Sequence, residues 1–90
     1  MSEEVDPSVK SKFEDALERV KKLPSQPPKT LLELYGLYKQ ALEGDIEGKR
    51  PGRLDFKARA KYDAWESRKG LSKEEAMNSY AELVNELESS

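Results

Sequence analysis

The chain of 90 residues contains neither cysteine nor histidine. Without cysteine it cannot form a disulfide, a thiolate metal site or a thiol nucleophile, which is typical of proteins in a reducing compartment. Without histidine it lacks the side chain that most often serves as general base or metal ligand. Catalytic sites of the Ser/His/Asp and Cys/His types are therefore excluded, and carboxylate or lysine chemistry is the only catalytic route left. We expect no metal site and no cofactor.

Long apolar stretches are also missing, since 36% of the residues are hydrophobic and 38% are charged. No run is long enough to span a bilayer, so no transmembrane segment is predicted. The amino-terminal stretch MSEEVDPSVK is acidic and has no apolar run, unlike a secretory signal or a transit peptide. We expect a single domain over residues 1–90 that is a cytoplasmic monomer.

The apolar residues that are present recur at steps of three and four, which predicts amphipathic helices. Alternating β-branched runs typical of strands are absent. The pattern predicts an all-α bundle with helices over residues 9–23, 30–43, 58–69 and 73–88. In the second of these helices, one broad apolar face contains Leu31, Leu34, Tyr35, Tyr38 and Leu42.

Two of these helices have the spacing of a capping box at their start. Thr30 precedes Glu33 by three residues, and Ser72 precedes Glu75 in the same way. The second and third helices are joined by a long loop, 44–57, and connections of this length are often functional. Within it, the dipeptide at 51–52, Pro-Gly, fits the centre of a type II turn.

Charge is distributed unevenly along the chain. The net charge is −2, but residues 49–69 contain eight cations and three acids. This surplus suits an anionic partner near the segment, but charge segregation alone is more often explained by a solvated face. One alternative is therefore a small nucleic-acid-binding helical module that uses residues 49–69, although the acidic remainder and a pI near 5.3 argue against it.

Two tyrosines and a lysine are neighbours on the second predicted helix. Tyr35, Tyr38 and Lys39 stand at positions i, i+3 and i+4. A tyrosine ring can stack on a heteroaromatic base, and a lysine offers a point charge to a phosphate. The group therefore suits a nucleotide, and packing of the rings into the core is the competing interpretation.

Five segments carry a resemblance to a known family: YGLYKQA at 35–41, GDI at 44–46, RPGRLDF at 50–56, KYDAW at 61–65 and KGLSKEEAMNSY at 69–80. In this order and at these spacings they form a strong signature, whereas each alone would be weak. The chain resembles the acyl-CoA-binding protein family over nearly its whole length, from about Phe13 to Leu87.

This resemblance implies an up-down-down-up four-helix bundle that carries medium- to long-chain fatty acyl-CoA esters without transforming them. By position, Tyr35 is similar to the residue that stacks on the adenine in this family, and Lys39 and Lys61 to the lysines at the 3′-phosphate. Tyr80 matches the contact made by the last helix. The other positions that match ligand contacts are Lys21, Leu31, Leu32, Tyr38 and Lys57.

The partners implied are long-chain fatty acyl-CoA and, as transient donors and acceptors, membranes or enzymes that use acyl-CoA. No nucleic acid is implied. The acyl chain is expected to contribute much of the affinity, because each methylene group removed from water adds about 0.8 kcal/mol.

Overall fold

Residues 5–90, which the computed structural model describes, form four α-helices and no strand. The helices are α1 (Pro7–Val20), α2 (Pro28–Glu43), α3 (Phe56–Glu66) and α4 (Lys73–Ser89). The all-α prediction is confirmed. Residues 1–4, which include the acidic Glu3 and Glu4 and on which part of the targeting prediction depends, lie outside the described part of the chain.

The start of α2 differs from the prediction. The helix begins at Pro28, so Thr30 lies inside its first turn and is not an N-cap. Proline is favoured at the first position of a helix because its fixed φ is already helical and the missing N–H has no helical partner there. Pro28 therefore outweighs the capping-box spacing of Thr30 and Glu33.

The start of α4 is as predicted. The Ser72 hydroxyl accepts a hydrogen bond from the Glu75 N–H at 3.0 Å, and the Glu75 carboxylate accepts one from the Ser72 N–H at 2.9 Å. Both halves of the capping box are thus present. At α3 the cap is Asp55, which accepts from the N–H of Ala58 at 3.2 Å and starts the helix two residues before the predicted position.

The loop that precedes α3 turns later than expected. The N–H of Asp55 donates to the carbonyl of Gly52 at 3.1 Å, which places Arg53 and Leu54 at the centre of the turn. Gly52 does not have the positive φ that a type II turn centred on Pro51-Gly52 requires. The prediction of a type II turn at 51–52 is therefore wrong. The turn that forms instead places Leu54 at the tip of the loop.

The helices pack in the spatial order α3, α2, α4, α1. Within residues 5–90, α1 packs on neither α2 nor α3, and α3 does not pack on α4. The molecule accordingly measures 40 × 39 × 15 Å, and its smallest dimension is little more than the diameter of one helix, about 10–12 Å. Such a flat arrangement leaves α2 with one broad face that no other helix covers.

The core is centred on α4, on which both α1 and α2 pack. Phe13 and Tyr80 pack edge to face, with ring centroids 5.3 Å apart and an interplanar angle of 77°. The buried apolar cluster consists of Phe13, Ala16, Leu34, Leu37, Ala41, Ala76, Met77, Tyr80, Ala81 and Val84. Because this cluster contains residues of α1, α2 and α4 but none of α3, the position of α3 depends on its contacts with α2 and with the loop.

A glycine allows α3 to approach α2 closely. A Cβ atom placed on Gly36 would lie 2.3 Å from the carbonyl oxygen of Ala64, well inside van der Waals contact. Neither backbone can yield without moving its helix. Gly36 therefore sets the distance between α2 and α3, at the cost in helix propensity that glycine carries.

Side chains also fix the loop between α2 and α3. The Trp65 indole N–H donates to the carbonyl of Gly44 at 2.8 Å, and the Tyr62 hydroxyl donates to the carbonyl of Gly48 at 3.1 Å. Arg50 binds Asp63 through two hydrogen bonds of 2.9 and 2.6 Å. Three residues of α3 therefore hold the loop against that helix.

A buried amide joins the end of α2 to the connection between α3 and α4. The Gln40 amide nitrogen donates to the Asp45 carboxylate and to the carbonyl of Leu71, each at 2.8 Å. The Asp45 carboxylate also accepts from the Gly70 N–H at 2.9 Å. The hydrogen bonds from Gly70 and Gln40 hold the pKa of Asp45 below its ordinary value.

Candidate functional site

An apolar groove lies between the amino-terminal halves of α2 and α3. It encloses about 280 Å³, and we call it the α2–α3 groove. Leu31 and Leu32 form part of its α2 side, and Lys57 and Lys61, one helical turn apart, lie on its α3 side. Leu31 is 54% exposed, although it belongs to an apolar helix face. The full lining is Pro28, Leu31, Leu32, Lys57, Ala60 and Lys61.

One of these lysines also contacts the predicted stacking residue. The Lys61 ammonium lies over the ring of Tyr35, 5.3 Å from its centroid, in cation–π geometry. Tyr35 itself is half-buried. An aromatic ring and a cation therefore stand together beside the apolar groove, on α2 and α3 respectively.

Lys39 occupies a second contact between α2 and α3. Its ammonium lies 4.9 Å from the centroid of the Trp65 ring and pairs with the Glu43 carboxylate one turn further along α2. The hydrogen bond to Glu43 raises the pKa of Lys39 above its ordinary value, so this group is a cation throughout the physiological range. Any anion that binds Lys39 must compete with Glu43.

Tyr38 and Tyr80 differ in their access to solvent. Tyr38 is 36% exposed on α2, whereas Tyr80 is 4% exposed and packs against Phe13. Burial raises the pKa of the Tyr80 hydroxyl, and the nearby Tyr38 adds to this effect. Tyr80 is thus mainly a core residue here, and Tyr38 belongs to the open face of α2.

The structure brings five of the nine predicted positions together at the groove and leaves Lys21 apart from them. Leu31, Leu32, Lys57 and Lys61 line one groove, and Tyr35 touches Lys61. Lys21 lies on the exposed side of the chain after α1 and pairs with Glu18 at 3.0 Å. Among residues 5–90, no hydrogen bond, ion pair or cation–π contact joins Lys21 to the other predicted site residues.

Sequence reasoning missed several residues of this region. Ala60 and Pro28 line the groove, Gly36 sets the spacing of its two walls, and Trp65 carries the Lys39 ammonium on its ring. A glycine inside a strong helical pattern is a detectable signal of close packing. The small side chain of Ala60, between two lysines of one face, gives no comparable signal.

A larger depression of about 530 Å³ shares Leu32 and Ala60 with the groove. Its rim carries charges of both signs, from Lys29 and Arg68 and from Glu33 and Asp63. Mixed charges suit an extended anion less well than the two lysines of the α2–α3 groove do. We therefore take the groove, and not the larger depression, as the candidate site.

Membrane-spanning helices and acidic metal-binding clusters are both lacking in the described part of the chain. No helix of residues 5–90 is long and apolar enough to cross a membrane. The same residues contain no cluster of three or more acidic side chains that could hold a metal ion.

The sequence model of the family described as "Acyl CoA binding protein" matches residues 10–84 of this chain. The chain therefore belongs to the acyl-CoA-binding protein family, and the resemblance predicted from its motifs is confirmed. It is 54% identical over 81 residues to a Hypsibius protein that is named for acyl-CoA binding, an alignment that covers 89% of this chain and 91% of that protein.

Solved structures confirm the predicted all-α fold of this family. The crystal structure of Oryza sativa Acyl-CoA-Binding Protein 2 matches with a TM-score of 0.86 and 43% identity, over 90% of this chain and 91% of the rice chain. ACBP from Moniliophthora perniciosa matches with a TM-score of 0.79 and 41% identity, over 87% and 78% of the two chains. The nucleic-acid alternative is not favoured by these comparisons.

Proposed function

We propose that this chain is a single-domain, non-enzymatic carrier of medium- to long-chain fatty acyl-CoA esters in the cytoplasm. The α2–α3 groove holds the acyl chain, Tyr35 stacks on the adenine, and Lys39 and Lys61 bind the 3′-phosphate. Membership of the acyl-CoA-binding protein family supports the ligand class. The observation that carries the proposal is an apolar groove whose lysine contacts an aromatic ring.

The remaining predicted contacts complete the proposed site. Lys57, on the rim of the groove, offers a charge to the phosphates of the ligand, and Lys21 does so from the segment after α1. Tyr38 lies on the open face of α2, within reach of the nucleotide. Tyr80, which lies near Tyr38, is the proposed ligand contact from α4.

The groove and the headgroup contacts make different contributions to the binding free energy. A volume of about 280 Å³ accommodates roughly nine methylene groups, if each occupies about as much space as a water molecule, about 30 Å³. Because the groove is open to solvent, burying nine such groups gives at most roughly 7 kcal/mol, at about 0.8 kcal/mol each. Charged hydrogen bonds of about 1.5–3 kcal/mol each orient the nucleotide. The nucleotide thus fixes the pose, and the chain supplies much of the affinity.

Titration calorimetry with palmitoyl-CoA tests the assignment. Tyr35→Ala and Lys39→Ala should each lose about 1–3 kcal/mol of binding free energy, equal to a stacking contact or a charged hydrogen bond. The matched control is Lys12→Ala, which removes an exposed cation of α1 outside the groove. Unchanged affinity in both site variants would refute the proposed site while leaving the family intact.

An acyl-chain series tests the groove itself. Each added methylene that enters it should tighten binding about fourfold, which corresponds to about 0.8 kcal/mol. Equal affinities for free CoA and for palmitoyl-CoA would refute the claim that the chain is buried. Turnover of the thioester by the purified protein would refute the non-enzymatic part of the proposal.

The pairing of Lys39 with Glu43 gives a further test of the phosphate contact. If the 3′-phosphate must displace Glu43, then Glu43→Gln should strengthen palmitoyl-CoA binding, because the competing carboxylate is gone. The same change should have no effect in the background of Lys39→Ala. A weakening by Glu43→Gln would show that the ion pair organises the site and does not compete with the ligand.

A further inference from the structure

Two large hydrophobic side chains project from the loop that precedes α3. Leu54 is 90% exposed and Phe56 is 75% exposed, the highest values for large hydrophobic residues in the described part of the chain. They stand on either side of Asp55, at the turn and at the first residue of the helix. We call residues 53–57 the hydrophobic tip.

The fold holds this tip in place. The turn from Gly52 to Asp55 is closed by a backbone hydrogen bond of 3.1 Å, and Asp55 caps α3. Further back, Arg50 binds Asp63 of α3 through two hydrogen bonds. Leu54 and Phe56 are therefore exposed by a structured turn, so presenting them to a partner costs little conformational entropy.

The surroundings of the tip are strongly basic. Residues 49–61 contain six cations and one acid, Asp55. Arg50 is neutralised by Asp63, but Arg53 and Lys57 flank the two apolar side chains and are exposed. Exposed apolar residues among cations match an anionic lipid surface, where the hydrophobic groups enter the interface and the cations bind the headgroups.

The tip also adjoins the mouth of the groove. Lys57 directly follows Phe56 and lines the α2–α3 groove together with Leu31, which is itself 54% exposed. A surface that contacts the tip therefore meets the rim of the groove. An RNA would satisfy the cations but would leave the leucine and the phenylalanine in water, and an acidic protein would need an apolar patch of matching shape, whereas an anionic bilayer offers both an apolar interior and anionic headgroups.

We propose that the hydrophobic tip is a docking surface for anionic membranes, with Leu54 and Phe56 entering the lipid interface while Arg53 and Lys57 contact the headgroups. Docking in this way places the groove against the bilayer, from which an acyl chain can enter it directly. This delivery role rests on the proposed carrier function. The docking itself rests on exposure and charge and needs no bound ligand.

Vesicle sedimentation of the full chain without ligand tests the proposal, with phosphatidylcholine vesicles compared with vesicles that also contain phosphatidylserine. Binding should require phosphatidylserine and weaken with added salt. The double variant Leu54→Asn/Phe56→Asn should bind at least about tenfold more weakly, since two apolar side chains no longer leave water. Arg53→Gln should lose about fivefold.

The matched controls are Leu42→Asn, which alters a leucine 45% exposed at the other end of α2, and Lys12→Gln on α1. Both should bind vesicles like the unaltered chain. All variants change exposed side chains, and their thermal unfolding should confirm that they fold. In solution the double variant should keep its affinity for palmitoyl-CoA, which separates docking from ligand binding.

Several results would overturn the proposal. One is equal binding to the two kinds of vesicle, and another is a double variant that binds as well as the unaltered chain. Loss of palmitoyl-CoA affinity by the double variant without vesicles would assign these side chains to the ligand site. A dimer that Leu54→Asn/Phe56→Asn abolishes, without vesicle binding, would assign the tip to self-association. Vesicle binding by a chain that does not bind palmitoyl-CoA would refute the carrier function alone.

Discussion

Gly36→Ala addresses the contact on which the geometry of the groove depends. The new methyl group would lie 2.3 Å from the Ala64 carbonyl oxygen and 2.9 Å from its carbon, whereas ordinary contact begins at 3.4 Å. The two helix backbones must therefore separate by about 1 Å, a shift of the kind that overpacking forces on a core. No flexible side chain can absorb the clash with these backbone atoms.

Two opposing terms set the effect on stability. Overpacking costs about 1–3 kcal/mol, and replacing a glycine inside a helix by alanine gains about 1 kcal/mol. We expect a net loss of about 0–2 kcal/mol, with Tm falling by about 4–8 °C for each kcal/mol in a domain of this size. Separation of the helices also moves Lys61 away from Tyr35, so palmitoyl-CoA should bind about tenfold more weakly, the equivalent of one charged hydrogen bond.

Denaturant unfolding and titration calorimetry measure the two effects on the same sample. Gly52→Ala is the matched control, because its Cβ would meet no atom within 4 Å and its φ is not positive. That control should unfold and bind like the unaltered chain. A Gly36→Ala chain that gains the full 1 kcal/mol of helix propensity and keeps its affinity would refute the close contact with α3.

Two further predictions concern capping and acid stability. Ser72→Ala should lower the free energy of unfolding by about 0.5–2 kcal/mol, because Ser72 caps α4. Thr30→Ala should leave it nearly unchanged, because Thr30 lies inside α2 and caps nothing. Equal losses for the two variants in urea unfolding would contradict the start of α2 at Pro28. Hydrogen bonds from Gly70 and Gln40 hold the pKa of Asp45 in the folded state below its ordinary value of about 3.9. The ionised carboxylate therefore stabilises the fold at neutral pH. This stabilisation is lost as the pH falls from about 3.9 through the lower pKa of the folded state. Asp45→Asn should therefore be less stable at neutral pH and converge with the unaltered chain in acid, and a constant difference across the pH range of an unfolding series would contradict this.

The sequence predicts helices well where a local signal and the tertiary structure agree. Ser72 and Glu75 form the predicted box because no competing signal precedes them. At α2 the proline pair at 27–28 is a stronger helix-start signal than Thr30. The spacing of Thr30 and Glu33 does not reveal which of the two signals sets the first residue of the helix. α3 ends at Glu66, three residues before the predicted end at residue 69, because the residues after Glu66 form a hydrogen-bonded turn and not α-helix.

The candidate site is harder to predict than the fold, because its α2 side contains apolar residues that the core does not use. The sequence places Leu31, Leu34 and Tyr38 on one broad face, and periodicity treats them alike. In the structure Leu34 is 6% exposed against the core, whereas Leu31 and Tyr38 are 54% and 36% exposed.

The flat order α3, α2, α4, α1 causes this division, since α4 covers one part of the stripe and no helix covers the rest. Leaving those side chains in water forgoes the hydrophobic free energy that burial would give, about 25 cal/mol for each Å². A ligand that covers them recovers it. Under the proposed function, the exposed area that weakens the free protein would contribute affinity for an acyl chain. Ligand binding should then raise Tm by an amount that grows with the logarithm of the ratio of ligand concentration to Kd.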